Sequence, residues 1–400
     1  AGDGNAAIGG NKGVSGGSLV IEGGNIIAES SGGAAGIGSG NSANFGDISI
    51  SGGVVSATGN SGGAGIGSGY YGHCGKISIS GGTVDATGSS SGAGIGCGSG
   101  SSTVSGIEIS GGRVTATGGT GSPGSSCGSG IGKNDGGNSS CGPIVISGGV
   151  VTAKGIHSVA NTTYGINGTL QAYKVDSSGI YKTGNALIYV VQGISDKSKQ
   201  DDWSAVVFEG VNGTVYGIPA PEESFKVDNG KTLTINSDGS LIVNKGLTLL
   251  NEGAIVNNGL ITNNGTLVNK GALTNNSIIH NNLGGVLTNE GTLTNEGTVE
   301  NSGTFANADN GVLNGSKAYQ VTFDSQGGTI SGKYESIYLH GMGLSLPTSV
   351  AKPGYTFDGW YEGDNKVADI KAGTSGNKTL TAKWVAKTDT PYTVERYLQN

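Results

Sequence analysis

The sequence predicts an all-β protein that begins as a parallel β-helix of about 29 residues per coil and continues as a β-solenoid of six-residue repeats. One pattern around Ile8, Ile37, Ile66, Ile95 and Ile131 recurs at intervals of 29, 29, 29 and 36 residues. Within each coil, apolar residues alternate at period two, which is typical of strands with one buried face. The 81 glycines among 400 residues disfavour helix, since each costs about 1 kcal/mol relative to alanine.

Residues 1–155 contain five predicted coils, each with three strands that stack on the like strands of the next coil. Glycines suit the corners between strands because they tolerate positive φ and close backbone approach. The stacked apolar pairs form three ladders. The first contains Ala35/Ile37, Ala64/Ile66 and Ala93/Ile95; the second contains Leu19/Ile21, Ile48/Ile50, Ile77/Ile79, Ile107/Ile109 and Ile144/Ile146; the third contains Ile26/Ala28, Val55/Ala57, Val84/Ala86, Val114/Ala116 and Val151/Ala153.

Residues 156–230 lose this pattern, and aromatic and charged residues become frequent. Two apolar runs, GNALIYVVQGI and WSAVVFEG, are typical of buried strands. We expect this irregular region to cap the β-helix, because an uncovered end would offer its strand edges for further pairing.

Residues 231–315 carry a second, shorter repeat with units such as EGAIVN, NGLITN and NGTLVN. Ile255, Ile261, Leu267 and Leu273 lie six residues apart, and an asparagine closes each unit. Three units make a triangular coil of about 18 residues. Asparagine suits the corner because it tolerates the left-handed conformation and can hydrogen-bond to its stacked neighbour. The spacing leaves the hand of the solenoid open.

Charge and hydropathy exclude several classes of partner. The net charge is −7, and the only arginines are Arg113 and Arg396, so the basic patch needed for nucleic acid or an anionic membrane is missing. No apolar run approaches the roughly 20 residues of a membrane span, so we expect no membrane insertion. Because the chain opens inside a repeat, we expect it to be part of a longer protein.

Residues 316–387 have ordinary composition and a distinct set of motifs: VTFDSQGGT at 321–329, Leu346-Pro347, KPGYTFDGWY at 352–361 and LTAKW at 380–384. This stretch resembles the internalin-type B-repeat, or Listeria-Bacteroides repeat, of bacterial surface proteins. The resemblance implies a small β-grasp-like spacer module outside the cell. Residues 388–400 look like the start of a further module, and we expect a cell-wall anchor beyond Asn400. The Gly-rich β-helix is similar to solenoids in surface proteins of gut Gram-positive bacteria, some grouped with carbohydrate-binding β-helices.

One corner loop of the predicted β-helix is aromatic. Tyr70, Tyr71 and His73 occupy a corner where neighbouring coils have small polar residues. Sugar rings stack on exposed aromatic faces, so these residues are the predicted glycan-binding site. The alternative is that the tyrosines only pack over the adjacent loop.

A second loop offers oxygen ligands of the kind that calcium takes. Asn134, Asp135 and Asn138 lie in the sequence KNDGGN. These residues are the candidate calcium site; one carboxylate is few for such a site, and an ordinary Asn/Asp turn is the alternative. We expect no other cofactor.

The four cysteines, Cys74, Cys97, Cys127 and Cys141, all lie in the β-helix. Their spacing shows no Cys-x-x-Cys pair, which argues against zinc. In an exported protein such cysteines favour disulfides, for which four cysteines allow three connectivities. The first expectation is a bond between Cys127 and Cys141.

Catalysis is the main competing hypothesis, since β-helices also host polysaccharide lyases and hydrolases. Glycoside cleavage needs two carboxylates at a fixed separation. The acidic residues of the five coils fall on different strands or corners and do not stack in pairs: Asp3, Glu22, Glu29, Asp47, Asp85, Glu108 and Asp135. We therefore predict no enzymatic activity.

The sequence-based hypothesis is a non-enzymatic, extracellular adhesin or display scaffold at a bacterial cell surface, with a glycan or another surface ligand as its partner. A purely structural stalk and a protein-binding adhesin are the alternatives. A remote alternative is an ice-binding solenoid, suggested by Ser and Thr outside the third ladder but interrupted by Asp85 and Lys154. The oligomeric state is open.

Overall fold

The computed structural model describes residues 2–121, 127–134, 138–155, 164–175, 179 and 182–389. The all-β prediction is confirmed: within these residues the only helix is a short 3₁₀ turn at Gln200–Asp202. Parallel strands stack coil upon coil through the first 315 residues, and a small domain of mixed strands follows.

The first two ladders of the β-helix join into one sheet of 14 strands. First-ladder strands are Ile8–Gly9, Ile37–Gly38, Ile66–Gly67, Ile95–Gly96, Ile131–Gly132, Ile166–Gln171 and Ile194–Asp196. Second-ladder strands are Leu19–Ile21, Asn44–Phe45, Ile48–Ile50, His73–Ile79, Thr103–Ile109, Ser140–Cys141 and Ile144–Ile146. Ile37, Ile66 and Ile95 are direct register partners, as the repeat predicted.

The third ladder belongs to a continuous sheet of 13 strands, which we call the shared sheet. Its strands are Asn25–Glu29, Val54–Thr58, Thr83–Thr87, Arg113–Thr117, Val150–Lys154, Ala186–Val191, Ala205–Glu209, Asn212–Tyr216, Thr232–Ile235, Ala254–Asn257, Ala272–Asn275, Thr292–Asn295 and Val312–Asn314. All pairs in it are parallel except Ala205–Glu209 with Asn212–Tyr216, which form a hairpin.

In the first five first-ladder strands a glycine follows the isoleucine, and the coil spacing requires it there. Gly67 has φ +135°, and a Cβ on it would lie 2.1 Å from the carbonyl oxygen of Gly96 in the next coil. Gly38 and Gly96 have the same conformation and the same close contact. A side chain at any of these positions would force the coils apart, so the column admits only glycine.

The described strands of residues 156–230 continue the stack, and the capping role expected of this region stays a prediction. Ile188 and Val190 extend the interior column of Val151 and Ala153. On the opposite face of the same strands, Leu187 is also buried, in a second core that continues into the hexad region. Both faces of the two apolar runs are therefore covered, which explains why they lack alternation.

The hairpin at 205–216 moves the chain from one solenoid to the next. Its first strand contributes Val207 to the core of the β-helix and Val206 to the core of the hexad solenoid. After the hairpin, chain direction in the shared sheet is reversed, and the interior lies on the opposite face. Because both are inverted while the stacking direction continues, the two solenoids wind in the same sense.

The hexad solenoid is triangular, as predicted, with the shared sheet as one face. The second face contains Ser240–Val243, Leu260–Asn263, Ile278–Asn281 and Thr298–Asn301, and the third contains Phe225–Val227, Thr248–Asn251, Thr266–Asn269, Val286–Asn289 and Thr304–Asn307. The predicted asparagines form hydrogen-bonded columns: Asn257 Nδ2 donates to Asn275 Oδ1, and Asn275 Nδ2 donates to Asn295 Oδ1, both at 2.8 Å.

The C-terminal domain has a five-stranded sheet in the order Ile337–Leu339, Ala318–Asp324, Lys378–Ala386, Tyr355–Glu362 and Asn365–Val367. Its short pairs are Thr329–Ile330 with Val350–Ala351 and Leu344–Ser345 with Asp369–Ile370. Leu339 is fully buried in the core of the hexad solenoid, and Val299 N donates to His340 O at 2.8 Å. The domain therefore covers the last coil of the solenoid.

Lys174–Val175 and Lys182–Thr183 form a separate two-stranded pair beside the β-helix.

Candidate functional site

The predicted aromatic corner is partly exposed. Tyr70 and Tyr71 are 36% and 49% exposed, and their rings meet edge to face at 4.4 Å between centroids. Tyr71 has φ +52° and lies against Gly100 of the next coil, where a Cβ would meet its ring at 2.9 Å. His73 is exposed, and its Nδ1 lies 2.7 Å from Thr103 Oγ1. Tyr71 and His73 therefore each contact the next coil, while part of the surface of both tyrosine rings stays exposed.

A concave site lies farther along the same corner of the β-helix. This cleft has a volume of about 540 Å³ and is lined by Lys133, Asn134, Ser139, Ser140, Cys141, Tyr164, Asn167, Gly168, Thr169, Ser195 and Asp196. Tyr70, Tyr71 and His73 lie outside it. Of the site residues predicted from the sequence, Asn134 and Cys141 line the cleft.

Three successive first-ladder strands build the cleft. Ile131–Gly132 leads into Lys133 and Asn134, Ile166–Gln171 supplies Thr169, and Ile194–Asp196 supplies the carboxylate. The register between the last two strands shifts between Ile166 and Thr169, where a bulge brings Thr169 opposite Asp196. Bulges of this kind re-aim side chains without ending the sheet.

Asp196 is a fixed negative charge in the cleft. Its carboxylate accepts hydrogen bonds from Thr169 Oγ1 at 2.5 Å and from Ser198 N at 2.9 Å. These hydrogen bonds, with a smaller contribution from the charge of Lys133, lower the pKa of Asp196 below its ordinary value. The carboxylate is therefore ionised at neutral pH and can accept further hydrogen bonds from a ligand.

Asn134 presents an unused donor. The residue is only 3% exposed, and its Oδ1 accepts a hydrogen bond from Ser139 Oγ, whereas its Nδ2 has no partner. A buried polar group without a partner costs about 1–3 kcal/mol. An acceptor atom of a ligand in the cleft would remove that cost.

Tyr164 adds an aromatic surface. It is 39% exposed and lines the cleft beside these polar groups. An aromatic ring with a few convergent polar groups is the composition expected of a site for a small polar ligand. Sequence analysis missed Tyr164 and Asp196 because both lie where the repeat has faded, so no stacked equivalent marked them.

The calcium prediction stays a prediction. Asp135 lies outside the described residues, and Asn138 is exposed. Among the residues that the structure describes, no group of three or more His, Cys, Asp or Glu side chains is arranged to hold a metal ion.

The predicted bond between Cys127 and Cys141 is not present in this structure, in which all four cysteines are free. Cys127 lies outside the core cluster that contains Cys97 and against which Cys141 packs. The physical reason is the coil geometry: Cys127 precedes the first-ladder strand of its coil, whereas Cys141 begins the second ladder. Cys127 and Cys141 are therefore close in sequence but lie on different parts of the coil.

Glycoside cleavage would require a pair of carboxylates in the cleft. Among the described lining residues of the cleft, Asp196 is the single acid. Glu222 and Glu223 line a smaller groove of about 210 Å³ beside the shared sheet. Each is engaged there, since Asn185 Nδ2 donates to Glu222 at 2.7 Å and Arg113 forms an ion pair with Glu223 at 2.5 Å. The absence of activity remains a prediction.

Comparison with known proteins finds matches for the β-helix and for the C-terminal domain. Residues 319–383 match the family model of the Listeria-Bacteroides repeat domain, and residues 19–41, 48–70, 77–99 and 107–132 match that of the beta helix repeat. No curated protein and no solved structure matches the chain. These two kinds of repeat indicate a surface or structural repeat protein, and the Listeria-Bacteroides repeat is typical of surface proteins. Among the described residues, no helix has the length and apolar character needed to cross a membrane.

Proposed function

We propose that this protein is a non-enzymatic display scaffold of the bacterial cell surface that binds glycans in the cleft around Asp196. The observation that carries the proposal is the set of complementary groups there: a partly exposed Tyr164 ring, an ionised carboxylate on Asp196 and an unpartnered amide donor on Asn134. Sugars offer apolar ring faces together with hydroxyl donors and acceptors, so they match all three.

The rest of the molecule supports a scaffold. Parallel coils hold the cleft on strands, which position side chains more rigidly than loops do. The C-terminal domain covers the last coil of the hexad solenoid and so continues the same stacked body. A long stack of this kind places the cleft at a distance from whatever anchors the chain.

The number of carboxylates in the cleft favours binding over cleavage. Hydrolysis of a glycosidic bond uses two of them, roughly 5–10 Å apart, on either side of the sugar ring. The described part of the cleft supplies Asp196 alone, and its hydrogen bonds hold it as a charged acceptor, not as an acid that donates a proton.

A glycan array probed with the full chain tests the proposal, followed by calorimetric titration of each hit. We expect Asp196→Asn and Tyr164→Ala each to weaken binding at least about tenfold, which corresponds to about 1.4 kcal/mol. Glu22→Gln is the matched control, because it removes an exposed carboxylate elsewhere on the β-helix and should leave the affinity unchanged.

Other outcomes point to other functions. Loss of binding in Tyr71→Ser, with Asp196→Asn unaffected, would place the site at the aromatic corner and contradict the cleft. Failure to bind any glycan would favour a structural stalk or a protein ligand. Release of shortened products from a bound glycan would contradict the non-enzymatic assignment.

A further inference from the structure

Two cysteines from successive coils meet at the inner side of the cleft. Cys97 Sγ donates to the carbonyl oxygen of Ser140 at 3.3 Å, and Ser140 directly precedes Cys141. The strands pair Val104 with Cys141, and Cys141 packs on the core cluster that contains Cys97 and Val104. The side chain of Cys141 is also the largest influence on the pKa of Cys97. The sulfur atoms of Cys97 and Cys141 are therefore neighbours although 44 positions separate them in the chain.

The other two cysteines are placed differently. Cys74 is paired with Val104 on the side away from Cys141, and its Sγ points to the carbonyl oxygen of Gly46, 3.6 Å away in the preceding coil. Cys127 lies outside the core cluster. Of the four cysteines, Cys97 and Cys141 are the pair whose side chains lie next to each other.

The two members of the pair differ in access. Cys97 is fully buried, whereas Cys141 is half-buried and lines the cleft. The hydrogen bond to Cys141 and burial raise the pKa of Cys97 well above its ordinary value. A reagent in solvent therefore meets Cys141 first, and Cys97 stands behind it as the second thiol.

We propose that Cys97 and Cys141 form a disulfide by exchange with a low-molecular-weight disulfide. The Cys141 thiolate attacks one sulfur of the reagent, forming a mixed disulfide and releasing one thiol. The Cys97 thiolate then attacks Cys141 Sγ, and the second reagent thiol leaves. Both protein thiols lose a proton and are oxidised, while the reagent disulfide is reduced to two thiols.

The bond would fasten the fourth coil to the fifth. The chain between the two cysteines includes most of the 36-residue interval from Ile95 to Ile131, the longest between coils of the β-helix, so the bond would close a long loop. Because Cys141 lines the cleft, the bond would also fix one wall of it. Neither effect depends on glycan binding.

Peptide mapping tests the proposal directly, because trypsin places each cysteine in its own peptide: 13–76, 77–113, 114–133 and 134–154. The full chain is incubated with oxidised glutathione, alkylated, digested without reduction and analysed by mass spectrometry. We expect a cross-linked product of peptides 77–113 and 134–154, and a loss of two free thiols per chain in a dithionitrobenzoate titration under denaturing conditions.

Serine variants separate the two steps. Cys97→Ser should stop at a glutathione adduct on peptide 134–154. Cys141→Ser should lose no thiol in the time in which the wild type loses two. Cys127→Ser should behave like the wild type. A cross-link between peptides 114–133 and 134–154, or an unchanged thiol count in the folded wild type, would overturn the proposal. Circular dichroism of each variant establishes that it is folded before its result is used.

Discussion

The β-helix and the hexad solenoid share a sheet and a winding sense, but different interactions stabilise their corners. In the β-helix, glycine-rich corners are held by backbone hydrogen bonds between coils, such as Ser39 N to Gly67 O at 3.0 Å. In the hexad solenoid, side chains of buried asparagines fill the corners. Exposed corner side chains such as Tyr70 and Tyr71 are thus free to vary in the first region, whereas corner side chains are used for structure in the second.

This difference explains where the candidate site lies. Variation along one corner of the β-helix yields the tyrosine pair and then the cleft, without disturbing the interior column of isoleucines. A comparable change in the hexad solenoid would break a continuous column of hydrogen bonds. A solenoid can carry function only on positions that the stacking itself does not need.

The sharpest way to break the comparison is to place a side chain in the glycine column of the β-helix. Gly67→Ala should lower the free energy of unfolding by more than about 4 kcal/mol or prevent folding, because its Cβ would meet the carbonyl of Gly96 at 2.1 Å. Gly23→Ala is the matched control, since that Cβ has nothing within 4 Å and should change stability by no more than about 0.5 kcal/mol. Urea denaturation followed by circular dichroism measures both. Equal effects would show that coil spacing does not set the requirement.

The corresponding change in the hexad solenoid removes one asparagine from a buried column. Asn275→Ala should cost about 3 kcal/mol, because Asn257 Nδ2 loses its acceptor and the carbonyl of Thr298 loses its donor. Asn276→Ala, one residue away, removes only an exposed hydrogen bond to Asn258 and should cost no more than about 0.5 kcal/mol. The same urea titration applies. If the two variants lost similar stability, the buried column would have no special role.

The smallest effect is expected at the junction of the two regions and only at alkaline pH. Burial raises the pKa of Tyr189 to about 12. Its neutral form is favoured by folding, so the contribution is complete below the ordinary tyrosine pKa of about 10 and is lost as the pH rises towards 12. Between pH 10 and pH 12 the wild type should therefore lose up to about 2 kcal/mol of unfolding free energy that Tyr189→Phe retains. Identical slopes of unfolding free energy against pH would contradict this.

Periodicity accounts for the parts of the fold that were predicted. The alternation of Ile48 with Ile50 and the six-residue spacing of Ile255 and Ile261 each specify a strand, its buried face and its register on the next coil. Because every coil repeats the same local pattern, an error in placing one coil does not shift the predicted register of the next. The asparagine column follows for the same reason, since like residues must stack on like.

The cleft and the cysteine pair could not be predicted in this way. Asp196 and Tyr164 lie where the repeat has faded, and Cys97 meets Cys141 across an interval lengthened by insertions. The expected bond between Cys127 and Cys141 relied on sequence distance alone. A bulge between Ile166 and Thr169 decides which side chain faces which, and no local pattern encodes it.

By itself, the sequence determined the all-β class, the two coil lengths and the stacked register, because each is set by a short-range pattern repeated many times. Only the tertiary structure decided that one sheet has a core on each face, that the C-terminal domain covers the last coil and that three distant strands enclose a cleft. Those contacts join segments that occur once in the chain, and their partners are selected by packing in space, not by spacing in sequence.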